Sequence, residues 1–322
     1  MEDRKLLIGS HAPFWHNGSS ISERSLHTGL ATLPAVLMGI YQYGAPALGV
    51  VALSISFAMI WELLMNRVTG RPLSIVDWNA GLMGLLFAML MPATIPWWTV
   101  VVGTFVAIVV GKQIFGGIGC NPLHPVLVAL ATMILSWKDL LDFNQALVFY
   151  DLGFNMVYPL SAVKAFGSSA VENYAVVDLL LGRQAGGLGA TFGLGIIIGG
   201  VYLGLRGFIR WEIPLSYIAG IFVTALLFNL SNPDQYAGPI FHLFTGYTLV
   251  MAFFFLPEDS SSPVNLVPML IYGAMAGFLT VLVRNVGAFV DGAVFAVLLV
   301  NIANPMIDKM RPKALGRGVE HA

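Results

Sequence analysis

Five charged side chains fall inside or at the ends of apolar stretches: Glu62, Asp77, Lys112, Arg284 and Asp291. A central Asp, Lys or Arg costs a membrane helix about 2.5–3.5 kcal/mol. Each must therefore reach an interface along its own alkyl stem or serve a polar route. Glu62 and Lys112 lie near stretch ends and are expected to snorkel. Asp291 differs, because "FVDGAVFAVLLVN" stays apolar from Ala293 to Val300. It either caps the start of a half-helix or faces a polar path. Asp77, Arg284 and Asp291 are the candidates for an ion path.

Two glycine-rich pieces carry the other candidates. In "GGIGCNPLHP" (116–125) the glycines and prolines force locally non-helical backbone where a helix should begin. Such a break frees amides and carbonyls for a ligand or lets helices approach closely, and Asn121 and Pro122 sit in it. In "RQAGGLGATFGLG" (183–195), Gly187, Gly189 and Thr191 open an apolar run. Free N–H groups there could meet a phosphate or a flavin carbonyl. Neither a dinucleotide-binding strand nor a P-loop lysine accompanies them, so on these residues alone helix packing is the favoured account of the glycines. The six histidines form no ligand cluster, Cys120 is the single cysteine, and no H-E-x-x-H, C-x-x-C or G-x-S-x-G motif occurs. Hydrolytic chemistry, zinc chemistry and a self-contained iron–sulfur cluster are excluded.

The elements that must position these residues are membrane helices. Of 322 residues, 57% are hydrophobic and 10% charged, with a mean hydropathy of +0.80, against roughly 25% charged in a soluble domain. A net charge of -1 offers no basic surface to nucleic acid. Breaking the chain at charges and Pro/Gly clusters predicts ten spans, near 27–44, 46–66, 75–91, 96–112, 122–136, 190–209, 213–230, 239–256, 265–283 and 285–303. Several are shorter than the roughly 20 residues of a straight crossing, which predicts broken helices shielded by neighbours. Lys and Arg concentrate in the tails and in alternate loops, at Arg67, Arg71, Lys112, Arg206 and Arg210. By the positive-inside rule both termini are cytoplasmic and the 137–188 segment lies outside. Arg284 and the Glu258/Asp259 pair fit this topology poorly. The first residues lack the apolar core of a secretory signal.

"AGLMGLLFAMLMP" (80–92) and "TGYTLVMAFFFLP" (245–257) each hold a glycine and, eleven residues later, a proline, at an offset of 165. Lys112 and Arg284 then occupy comparable places in two further similar stretches, 103–122 and 273–292. The expected architecture is all-α: two five-helix repeats, inverted because five is odd. The divisions are a tail over 1–26, a first repeat over 27–136, an outer segment over 137–188, a second repeat over 189–303 and a tail over 304–322.

Four stretches, 96–129, "RWEIPLSY" (210–217), "FTGYTLVMAFFFLPEDSSSP" (244–263) and "GAFVDGAVFAVLLVNIANPMIDKMRP" (287–312), resemble the RnfD family, the D component of the Rnf ion-translocating ferredoxin:NAD oxidoreductase. That family is homologous to the B component of the Na+-pumping NADH:quinone reductase. The resemblance implies a flavin-bearing subunit of the bacterial or archaeal cytoplasmic (inner) membrane, catalytic only within its complex, where electron transfer is coupled to Na+ or H+ movement. It further implies as partners the A and E membrane components, the G flavoprotein and the B and C iron–sulfur components. Family members carry flavin mononucleotide on a threonine within an S-G-A-T-P-L-like motif. Here Pro159 and Leu160 match but Tyr158 stands in the threonine's place, and no threonine lies between Thr132 and Thr191. Thr191 falls on the threonine of a second family loop. His124 replaces the second asparagine of an N-P-F-N-P-A pattern. The expectation is a flavin, as mononucleotide or riboflavin, held near the outer side without a covalent link by the 187–191 loop and the 116–125 break. The alternative is a transporter or channel of the same architecture without a redox cofactor.

Overall fold

The structure, a computed structural model, describes residues 20–310. Tail charges such as Arg4, Lys5, Arg311, Lys313 and Arg317 lie outside the described residues, and with them the termini themselves. The described residues form helices joined by loops and include no strand. Helix α1 spans Ile21–Tyr43, α2 Ala45–Thr69, α3 Asn79–Leu90 and α4 Trp97–Phe105, which runs on as a π-helix over Val106–Gln113. Next come α5 (Pro125–Ser136), α6 (Pro159–Phe166), α7 (Gly193–Leu205), α8 (Glu212–Ser231) and α9 (Pro239–Phe244). After a break, a short α10 (Thr248–Val250) leads into a second π-helix, Met251–Phe255; α11 (Leu266–Asn285) and α12 (Ala293–Ile307) complete the bundle. Among them α2, α8 and α11 are long and apolar enough to cross a membrane.

Each boundary has a local cause. Ser20 accepts the Glu23 N–H at 3.1 Å and caps α1. Proline stands in the first turn of α2, α5, α6 and α9, where its missing N–H costs nothing. Gly70 closes α2 with φ 66°. Three expected spans differ in detail. The piece expected from 75 begins as a tight turn over Ile75–Asp77, and α3 starts only at Asn79. The 239–256 piece is interrupted between Phe244 and Thr248. The last helix begins at Ala293 rather than near 285, because Asp291 is used to start it.

Loops gather at two ends. The near face holds the start of α1, where Ser22 bonds the Val76 carbonyl (3.3 Å), Arg71 bonds Gln113 (3.3 Å) and Asn121 bonds Glu258 (3.1 Å). The end of α12 lies there too, with Asn304 bonding the Ser261 carbonyl at 2.9 Å. At the far face, Gln42 meets the Gly182 carbonyl (3.0 Å), Thr94 that of Ala146 (2.7 Å) and Ser168 that of Asp234 (3.0 Å). These bonds bring the loops after α2 and after the two π-helices to one face, and the chain after α1, α3 and α8 to the other.

The 187–191 glycines serve the contact between α1, α3 and their own loop. Leu188 and Gly189 donate their N–H groups to the Met91 and Met89 carbonyls, each at 2.9 Å, so the loop caps the C-terminus of α3. A Cβ on Gly187 would lie 2.9 Å from the Met89 oxygen, and one on Gly39 would overlap the Leu188 carbonyl. Gly39→Val is therefore expected to destabilise by about 1–3 kcal/mol. Gly49 has open space around it, so Gly49→Ala should stabilise by about 0.5–1 kcal/mol. Thermal unfolding of both variants in one detergent checks the pair; equal effects would contradict this packing.

Candidate functional site

A cavity of about 350 Å³ opens at the near face between α1, α3, the 118–124 loop and the second π-helix. Gly116, Gly117 and Gly119 hold φ of 122°, 104° and 82°, and this left-handed backbone turns the chain back so that Asn121 and His124 reach the cavity. The Asn121 amide donates to the Leu123 carbonyl and to Glu258 Oε1, both at 3.1 Å, and Ser261 donates to Glu258 Oε2 at 2.7 Å. This joins the break to the 257–261 loop from the other half of the chain. Phe253 and Phe254 supply an apolar wall. His124 is 3% exposed, its ring lies 4.7 Å from that of Phe255, and its Nδ1 has no hydrogen-bond partner. Asn79 Oδ1 is also buried without one. At the cavity mouth Arg24 bonds Asp259 and the Phe208 carbonyl, tying α1 to two loops. Glu258 and Asp259, awkward for the topology in isolation, thus hold near-face partners.

A second polar centre lies towards the far face. Asp291 Oδ1 accepts from Arg284 Nη2 (2.9 Å), Arg284 Nε (3.1 Å) and the Ala293 N–H (3.1 Å). Its Oδ2 accepts from the Tyr247 N–H (2.8 Å) and the Tyr158 hydroxyl (3.4 Å). Arg284 also donates to the His242 and Thr245 carbonyls, freed where α9 stops (2.9 and 3.3 Å). Gly246 stands in that break at φ 65°, and a Cβ there would overlap Asp291. Asp291 is therefore both the cap of α12 and the counter-ion of Arg284.

The structure separates residues that sequence reasoning grouped. Asn121 lines the near-face cavity, whereas Pro122 is exposed and outside its lining. Gly187, Gly189 and Thr191 line neither this cavity nor the far-face one described below. They pack beyond the other end of α3. Thr191 is 5% exposed, and its methyl group would lie 2.8 Å from a Cβ on Gly186. Tyr158 is buried against Phe143 with its hydroxyl turned inward to Asp291, so the usual anchor position presents no outward hydroxyl. Asp77 is on the near face, accepting the Asn79 N–H at 3.0 Å, away from Asp291 and Arg284.

Glu62 and Lys112 correct the snorkelling expectation. Their side chains are 1% and 0% exposed and pair at 3.0 Å between α2 and the first π-helix. Ser74 donates to the same Glu62 oxygen at 2.7 Å. The available signal was one acidic and one basic residue, in the second and fourth expected spans, with nothing in the sequence to pair them.

The model of the NQR2, RnfD, RnfE family matches residues 8–316. The chain is 32% identical to the D component of the ion-translocating oxidoreductase complex of Aliivibrio salmonicida (strain LFI1238), covering 95% of this chain and 97% of the relative. It is 31% identical to the D component of the Na(+)-translocating ferredoxin:NAD(+) oxidoreductase complex of Acetobacterium woodii, over 96% and 94%. The corresponding component of the ion-translocating oxidoreductase complex of Stutzerimonas stutzeri is 32% identical over 93% of each chain.

Proposed function

Since the chain belongs to the NQR2, RnfD, RnfE family, we propose that it is the D-type membrane component of an ion-translocating ferredoxin:NAD oxidoreductase, holding a non-covalent flavin in the near-face cavity. The carrying observation is that cavity's lining: buried His124 Nδ1 and Asn79 Oδ1 lack partners beside the Asn121 amide, opposite the Phe253 and Phe254 rings. This pattern suits a planar heterocycle with an edge of donors and acceptors and an apolar end. The volume lies within the 300–1,000 Å³ typical of small-molecule sites. A bound flavin supplies electron transfer. Asn121, His124 and Asn79 would hold its polar edge, and the aromatic wall and Arg24–Asp259 bridge would limit water.

All ten main segments are assigned to the membrane, with the near face cytoplasmic; Arg24 in the first turn of α1 and Arg71, Arg206 and Arg210 between helices support that orientation. Support for the inverted repeat comes from two buried cation–carboxylate pairs, Lys112–Glu62 towards the near face and Arg284–Asp291 towards the far face. The chain works within a complex of further membrane, flavin and iron–sulfur subunits, and the ion moved is Na+ or H+. Asp291 and Arg284 join an ion path only if Asp291 exchanges its present partners, and Asp77 meets such a path at its other end.

Flavin content of the purified full-length chain tests the reading. Asn121→Leu is expected to lower flavin per protein at least tenfold, and Thr191→Val to leave it unchanged. Flavin lost with Thr191→Val but kept with Asn121→Leu would move the site to the glycine loop. Wild-type chain and complex without flavin would favour the transporter reading.

A further inference from the structure

A cavity of about 240 Å³ opens on the far face between α6, the 235–236 loop, α9 and the end of α11. Lys164, His242, Arg284 and Asn285 line it, and no aspartate or glutamate does. His242 is 2% exposed, and neither ring nitrogen has a hydrogen-bond partner. Asn285 Nδ2 is likewise buried and unpartnered. Leaving such a group unsatisfied costs about 1–3 kcal/mol, so three unsatisfied nitrogens around one space point to something that satisfies them.

Charge decides the sign of that ligand. Asp291 neutralises Arg284, which leaves the Lys164 ammonium uncompensated at the mouth. Lys164 donates to the Gly287 and Phe289 carbonyls at 2.6 and 2.7 Å, using two of its three N–H groups. Burial, and then the nearby Lys138, hold its pKa below the usual lysine value. An anion would relieve both. Arg284 makes four bonds to Asp291, His242 and Thr245, so one of its five N–H groups is still free. A cation would meet the Lys164 and Arg284 charges, with no carboxylate and only neutral acceptors such as one nitrogen of the His242 ring to set against them.

We propose that this cavity binds a phosphate-type oxyanion, either inorganic phosphate or the phosphodiester of a lipid headgroup, through Lys164, His242 and Asn285. The proposal does not rest on the flavin reading, because the two cavities have no lining residue in common. Donors converging from three elements match an acceptor with several oxygens.

Titration calorimetry of the purified full-length chain with inorganic phosphate is the test, with chloride at equal ionic strength as reference. Saturable phosphate binding is expected, weakened at least tenfold by Lys164→Ala and by Asn285→Leu. Asn285→Leu keeps the Lys164 clamp on the 287–289 carbonyls, so a folding defect confined to Lys164→Ala leaves the test intact. For the lipid source, phosphorus retained per protein after detergent exchange is measured, and short-chain phosphatidylglycerol is titrated against bound phosphate. Retained phosphorus that falls in both variants, with displacement by the lipid, assigns the headgroup; phosphate binding without displacement assigns the free anion. Neither saturable binding nor variant-sensitive retained phosphorus would overturn the proposal, as would equal binding in wild type and both variants.

Discussion

Lys112→Met is expected to lower stability by about 3–5 kcal/mol, because it strands the Glu62 carboxylate inside the bundle. The pair is completely enclosed, at 0% and 1% exposure, and Glu62 Oε2 has no partner even in the intact protein. A methionine fills the lysine stem's volume, so the loss is electrostatic and not a cavity effect. Glu62→Gln added to Lys112→Met removes the stranded charge and should recover most of the loss, since buried pairs replaced as a unit are often neutral. Thermal unfolding of the two single variants and the double variant in one detergent measures this. A single-variant loss below about 1 kcal/mol, the range of exposed pairs, would contradict the burial.

Asp291→Asn is the second large effect. The amide preserves shape, but it leaves the Arg284 guanidinium without a counter-ion and brings N–H groups among donors at Tyr247, Ala293 and Tyr158. A loss of about 3–5 kcal/mol is expected, with the start of α12 and the break before α10 loosening together, since both hang on this carboxylate. The double variant Asp291→Asn/Arg284→Met should refold. Ion movement by the complex carrying that double variant then separates two roles. Pumping at normal electron flux makes the pair a structural lock; electron flux without pumping puts it on the ion path.

Much of the helical layout was legible because prolines, glycines and apolar runs act locally. Proline in the first turn of α5 and α9, and glycine after α2, mark boundaries that need no tertiary information, whereas α6 lies in the 137–188 segment, where no helix was expected. Charge pairing was not legible. Glu62 and Lys112 are separated by 50 residues, and only the packing of α2 against the first π-helix turns two apparent helix-end charges into one buried pair. The glycine run was ambiguous for a similar reason. Whether the N–H groups of 188–189 are free depends on the carbonyls of α3, about a hundred positions earlier, and those carbonyls take them. Asn121 was visible through its Gly/Pro context. His124 stood out only as a departure from the family pattern, because its burial and unpartnered nitrogen depend on the 257–261 loop closing over the same space.

Tyr158 is turned inward at the usual anchor position, and Thr191 is buried with its methyl group towards Gly186, so the flavin reading stands or falls on non-covalent binding. Acid precipitation of the purified full-length chain tests it most directly. Flavin absorbance should pass entirely into the supernatant, leaving a non-fluorescent band on a denaturing gel and an unmodified mass for the 165–206 peptide. A fluorescent band, or a flavin phosphate mass added at Thr191, would contradict the account.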